Sequence, residues 1–204
     1  MCAGLPTAYN GAMSHLAIRP LTPDRWPHLE QLFGPQGAVK GCWCMWWRFT
    51  PRDYDRASRA ARRDALQALV DEGREPGLLA YAGERPVGWC SVAPREQFLR
   101  LRTATTWRPI DTLSVPVWSI VCYFIAPDQR RQQVATRLLA AAVDYARDHG
   151  AEIIEAYPKD TAAVPGPHPD ERLHFGTASM YRAAGFAEVA RRNMAFPIMR
   201  LKVR

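Results

Sequence analysis

The sequence predicts an α/β domain, a mixed β-sheet with helices packed on its faces, and three observations carry that prediction. The chain opens with a strand-like run followed by a helix signal across residues 15–33. Two short apolar runs around a glycine-containing turn read as a hairpin at 77–93. The strongest strand, 117–125, passes through a short loop into a helix with an apolar stripe and then into a further strand at 153–157. The last arrangement is a βαβ unit, so its two strands are expected to be parallel, with a right-handed crossover.

The elements follow in order. Residues 15–21 alternate as a first strand, and Pro20, Thr22 and Asp24 mark a helix start that runs to about Phe33. A Gly/Pro loop at 34–41 leads into the run Cys42-Trp43-Cys44-Met45-Trp46-Trp47. Helical spacing returns at 58–72 through Ala61, Ala65, Leu66 and Leu69, and Gly73 ends it. Strands at 77–82 and 86–93 flank Gly83-Glu84-Arg85. Val134, Leu138, Leu139, Ala142, Val143 and Ala146 trace the buried face of the helix after the strong strand, which Gly150 closes. A helix at 176–184 and one or two strands within 186–204 complete the chain, with no internal repeat.

Length and composition agree with one domain over residues 15–204. The 204 residues are 48% apolar and 23% charged, enough to bury a sizeable core. No apolar run reaches the roughly 18 to 20 residues of a membrane span; the longest, 115–126, is broken by Pro116 and Ser119. Residues 1–14 carry no Lys or Arg and no apolar h-region, so they read as a flexible N-terminal extension, with Met13 an alternative start. Five cysteines without a framework spacing point to reduced thiols and a cytoplasmic location. Cys42-x-Cys44 lacks a second ligand pair, so no metal site is expected. The net charge of +7 favours anionic ligands, but the 27 basic residues are scattered and no nucleic-acid motif accompanies them.

The segment from Ile125 through Ala126-Pro127-Asp128-Gln129-Arg130-Arg131-Gln132-Gln133-Val134-Ala135-Thr136 carries the most chemistry. A strand turning into a helix aims several unpaired N–H groups and the positive end of the helix dipole at one point, where phosphates bind. Arg130, Arg131 and Arg137 add charge there. An ordinary βα junction with a solvated basic edge is the competing reading. The segment resembles the acyl-CoA pyrophosphate loop of the GNAT superfamily of N-acetyltransferases, whose signature [Gln/Arg]-x-x-Gly-x-[Gly/Ala] falls on Arg130, Gln133 and Ala135. Gln133 stands where the family has glycine, which a right-handed helical backbone would allow. A second match, Tyr181-Arg182-Ala183-Ala184-Gly185-Phe186, resembles the family's later Tyr-x-x-x-Gly-Phe motif.

The resemblance implies a three-layer α/β fold with its sheet splayed between the fourth and fifth strands, and acetyl-CoA as co-substrate. It places the pantetheine arm against the backbone near Phe124 and Ile125 and the pyrophosphate at Arg130, Arg131, Gln132, Gln133, Val134, Ala135 and Thr136. It makes Tyr181 the proton donor to the departing thiolate, while a packing tyrosine on an amphipathic helix is the alternative.

An amine acceptor must lose a proton, and the strand before the loop contains no carboxylate. Glu155, on the next strand among Ile153, Ile154 and Ala156, is the first candidate base, with a strand-edge carboxylate facing solvent or paired to an arginine as the alternative; Glu96, Asp160 and His174 follow. Trp43, Trp46 and Trp47 lie where family members often wall the acceptor site, and they suit an aromatic acceptor or a cationic amine, with cation–π contacts worth about 0.5 to 2 kcal/mol; at least one of the three is expected to be plain core. A lid or a surface insertion both fit the long Pro- and Gly-rich connection at 158–174.

The expected function is transfer of an acetyl group from acetyl-CoA to a small-molecule amine or peptide by direct attack. A catalytically degenerate CoA-binding or sensor domain of the same fold is the alternative. Neither membrane nor nucleic acid is expected as partner, and a homodimer stays open.

Overall fold

In the computed structural model, residues 16–112, 114–169 and 173–204 are described; the expected extension at 1–14 lies outside them. The strands are β1 (Leu16–Pro20), β2 (Gly77–Ala82), β3 (Arg85–Pro94), β4 (Val117–Ile125), β5 (Ile153–Ala156), β6 (Ala187–Asn193) and β7 (Phe196–Lys202). They form one mixed sheet in the order β1-β2-β3-β4-β5-β7-β6. β4 and β5 run parallel, as the βαβ reading requires, and the other pairings are antiparallel.

Local chemistry sets the helix starts. In α1 (Trp26–Phe33) a proline occupies the first turn, where its missing N–H costs nothing. The Thr50 hydroxyl accepts from the Asp53 N–H at 3.2 Å and Pro51 opens α2 (Pro51–Arg56), a short helix that the apolar pattern does not reveal. Ser58 caps α3 (Arg59–Asp71) by accepting from Ala61 N–H at 3.1 Å. After the five-residue α4 (Leu99–Thr103), α5 (Val134–Asp148) forms the crossover, and Thr177 caps α6 (Ala178–Ala183). No helix among the described residues is long and apolar enough to cross a membrane.

Two apolar cores sandwich the sheet. On one face Leu29, Phe33, Leu66, Val70, Trp43 and Trp47 pack against Leu79, Trp89 and Val121. On the other, Val134, Leu138, Leu139, Ala142 and Ala146 of α5 cover Ala80, Val92, Ile120 and Ile154. Each buried Leu, Val, Ile or Phe among them contributes about 1.5 to 3 kcal/mol relative to exposure. Gly88 lets α5 approach: a Cβ there would sit 2.9 Å from Val134 Cγ1 and 3.0 Å from Leu138 Cδ1.

The β4–β5 pairing is short. It runs from Val117↔Ile153 to Ile120↔Ala156 and stops, while β4 continues to Ile125 along β3. At that point Ile120 faces Val92 and Cys122 faces Ser91, so Val121 is an extra residue and β4 bulges. Beyond the bulge the Tyr123 N–H donates to the His174 carbonyl at 2.6 Å, so the segment before α6, not β5, lies beside the strand. The long connection is clipped at its base: Lys159 N–H donates to Gly176 O at 2.9 Å, and Ala178 N–H donates to Lys159 O at 2.8 Å.

Two buried carboxylates brace this end of the sheet. Glu155 is fully buried; its Oε2 accepts from Arg200 Nε at 2.7 Å and from Arg95 at 3.4 Å, and its other oxygen accepts from the Tyr157 hydroxyl. Asp160 Oδ2 accepts from Arg191 at 2.8 Å and Arg182 at 3.0 Å, and its Oδ1 accepts from Ala162 N–H at 3.2 Å. Arg191, then Arg182 and the Ala163 N–H, outweigh the cost of burial and hold the Asp160 carboxyl down at about 2 against an ordinary 3.8.

Glu155→Gln removes the charge between two arginines, and a broken buried pair costs about 3 kcal/mol. Urea unfolding of the variant at pH 7 should read that loss. For Asp160, whose folded value is depressed, the stabilisation is present above pH 3.8 and is lost as pH falls from there toward about 2. Over that window the parent should lose about 2 kcal/mol that Asp160→Asn, already without it at pH 7, does not lose. Parallel acid-unfolding curves would show that Asp160 contributes nothing through its charge.

Candidate functional site

Where β4 outruns β5, a cavity of about 380 Å³ opens between the strand end, the start of α5 and the segment leading into α6. Tyr123, Phe124 and Ile125 form one wall. Arg130, Arg131, Gln133, Val134, Ala135 and Thr136 form the second, and Gly176, Thr177 and Met180 the third. Gln132 is the predicted loop residue that stays away: it is exposed, and its amide donates to Asp128 O at 2.9 Å.

The loop backbone explains how these residues converge. Arg131 and Gln133 both adopt left-handed conformations, at φ 61° and φ 60°. This corrects the expectation of a right-handed helical Gln133, because here the chain keeps the turn that glycine makes without strain, at a cost of about 1 to 2 kcal/mol. Gln133 occupies the cap position of α5 without a side-chain capping bond, so the first-turn N–H groups of a fifteen-residue helix face the cavity side. Arg130 Nε donates to Ile125 O at 3.3 Å, which ties the loop to the strand. The preceding turn is fixed by a two-pronged pair, Arg85 to Asp128 at 2.7 and 2.8 Å. Together, left-handed backbone, helix start and guanidinium groups make an anion-receptive corner beside an apolar strand end.

A second cavity, of about 300 Å³, adjoins the first through Val39, Tyr123, Phe124 and His174. Its walls are Trp46, Trp47, Tyr54 and Phe175, with Cys42, Cys44 and Cys122 between them. Trp43 is not among them. At φ 45° its side chain turns into the core, where it stacks on Trp26 at 6.0 Å and packs directly over Gly37, so it borders neither cavity. Trp46 already carries a cation: the Arg100 guanidinium lies 4.0 Å from its ring centre, and Arg100 Nε donates to the Trp46 carbonyl at 2.5 Å.

The thiols are electrostatically distinct. Cys44 accepts from the Trp89 indole N–H at 3.0 Å, and the neighbouring Cys122 thiol, the indole and Arg48 hold it below the usual thiol range. The proximity of Cys44, together with burial, raises Cys122 well above it, and burial pushes Cys42 up to about 12.

The other predicted residues fall elsewhere. Glu155 borders neither cavity and is locked by Arg200, Arg95 and Tyr157, so its position is that of a brace and not of a base. Tyr181 is fully buried behind the first cavity, its hydroxyl 3.1 Å from that of Tyr123. Burial raises both phenols well above their ordinary value. Glu96 is exposed and Asp160 is tied to its arginines, whereas His174 stands at the junction of the two cavities. Sequence reasoning missed Tyr54, Phe175 and the thiols as cavity walls. Only Tyr54 had a local signal, the Thr50-Pro51 helix start that places it.

The acetyltransferase (GNAT) family model matches residues 40–165. Among solved structures, a mutant agmatine N-acetyltransferase in its apo form is similar at a TM-score of 0.57 and 12% identity, covering 92% of this chain and 99% of that one. The yncA protein of Salmonella typhimurium, solved with its cofactor acetyl-CoA, is similar at 0.52 and 14%, over 93% and 94%. A ribosomal-protein-alanine N-acetyltransferase from Brucella melitensis is similar at 0.51 and 16%, over 92% and 99%. No curated protein matches the chain significantly by sequence. The structural likenesses establish the fold, and with a family match over more than half of its length the chain belongs to the acetyltransferase (GNAT) family.

Proposed function

We propose that the protein is an N-acetyltransferase that binds acetyl-CoA in the first cavity and an amine acceptor in the second. The observation that carries this reading is the meeting of the two cavities at Tyr123, Phe124 and His174, one with an anion-receptive corner and the other with apolar walls. The residues present suit the co-substrate: helix-start N–H groups and Arg131 for pyrophosphate oxygens, and the strand end at Phe124 and Ile125 for an amide-bearing arm. Acetyl-CoA supplies an activated acetyl thioester.

In this reading the second cavity holds the amine so that its nitrogen reaches the thioester carbon directly. One N–C bond forms and the C–S bond breaks, with no acyl-enzyme. His174, at the junction, takes the proton that the amine loses. The neutral Tyr123–Tyr181 hydroxyl pair returns one to the departing thiolate, Tyr181 acting through Tyr123. A second reading, a binding domain without turnover, is favoured by one feature: Tyr181 and Glu155 both lie outside the cavities. Thiol release from acetyl-CoA in the presence of an amine panel separates the two.

Coenzyme A at a hundredfold excess over its dissociation constant should stabilise the fold by about 2.7 kcal/mol, and an unmoved melting temperature at millimolar CoA contradicts the site. Gln133→Gly relieves the left-handed strain, so the variant should be more stable by up to about 1 kcal/mol and bind CoA at least as well. Weaker binding would instead make the Gln133 amide a phosphate ligand.

Tyr181→Phe keeps the ring and removes the hydroxyl. It should lower kcat by about 10²-fold or more, leave CoA affinity unchanged, cost about 1 kcal/mol of stability through the lost bond to Tyr123, and alter the alkaline limb of the pH–rate profile. Unchanged kcat in the folded variant assigns the proton to another donor.

A further inference from the structure

Resting on that reading of the two cavities, we propose that the acceptor is a small primary amine carried on a planar aromatic body and bearing no second positive charge. The walls of the second cavity are the rings of Trp46, Trp47, Tyr54, Phe124 and Phe175, and no carboxylate is among the described residues that line it. A polyamine, an aminoglycoside or a lysine-rich peptide brings additional ammonium groups that need anionic partners when desolvated; the lining offers no carboxylate, and the Cys44 thiol is already engaged by the Trp89 indole with Arg48 nearby.

The positive charges nearest the cavity are Lys40, Arg100 and Arg62, with Asp55 facing Arg100. Lys40 lines it at the exposed side. Arg100 lies 4.0 Å over Trp46, and Arg62 lies 3.9 Å over the Tyr54 ring. These arginines occupy aromatic faces that would otherwise attract a ligand cation, leaving the cavity-side surfaces to stack a neutral ring.

The same surroundings serve the chemistry. An ammonium entering an apolar space beside like charges loses its proton more readily, so the nucleophilic free amine is favoured without a carboxylate base. A volume of about 300 Å³ accommodates a ring system the size of indole with its side chain, while an extended polycation would have to leave its distal charge in the opening next to Lys40.

The test uses the full chain saturated with CoA. Calorimetric titration with tryptamine, agmatine and spermidine should show tryptamine binding at least tenfold more tightly than either polycation. With acetyl-CoA in place of CoA, thiol release should follow the same order in kcat/KM. Trp46→Ala should weaken tryptamine at least tenfold while leaving CoA affinity intact. Equal or tighter binding of agmatine or spermidine, or no tryptamine binding to CoA-loaded protein, overturns the proposal while the first cavity stands. If CoA itself does not bind, the first-cavity reading fails, and tryptamine against spermidine on the free protein decides the acceptor class alone.

Discussion

The architecture of the site depends on one constraint, the early end of the parallel pairing between β4 and β5. Four residue pairs hold those strands, and the extra residue at Val121 then bends β4 away while β3 follows it to Ile125. A parallel partner along the whole of β4 would occupy the backbone positions beside Tyr123 and close the space between the strand and α6. The truncation instead leaves that space bounded by strand, helix start and connecting segment, and both cavities border the same few residues of β4. The buried braces at Glu155 and Asp160 hold the far side in place: β5 is tied to β7 through Arg200, and the root of the long connection to β6 through Arg191.

The second determinant is backbone handedness at Gln133. A side chain at this position adds strain that glycine would not, yet the turn is kept, and with it the direction of the first N–H groups of α5. The loop shape is therefore set by the register of β4 and the packing of Val134 and Leu138 against Gly88, which over-determine one residue in an unfavourable region. Left-handed residues recur at Ala38, Lys40, Trp43 and Cys44, opposite this loop. They send Trp43 inward and turn Cys42 and Cys44 toward the second cavity. Strain thus concentrates on the segments that border the proposed reaction centre.

Much of the fold was legible in the sequence because its signals are local. The limits of β4 follow from its apolar run, α5 from its 3.6-residue stripe, and the hairpin from Gly83; the α/β class rests on those elements, and its three-layer form on the family resemblance. The short helices α2 and α4 lack the length for a periodic signal, although Thr50 and Pro51 mark the first of them. The cavity-lining residues of the α5 loop were legible because the chain itself brings them together. Side-chain direction was not. Glu155, Tyr181 and Trp43 each sit on the expected element but point into packing, because partners distant in sequence, Arg200, Tyr123 and Trp26, decide their orientation. His174 and the thiols join the cavities by tertiary approach across the sheet end, which no spacing encodes.

The central claim, that the space opened beyond the β4 bulge receives acetyl-CoA, is tested most directly by hydrogen–deuterium exchange with and without CoA. The account predicts slowed exchange at residue 125 and at 133–136, the strand end and the helix start beside the cavity, with little change in β1 and β2. Protection confined to other elements, or none at saturating CoA, would contradict it.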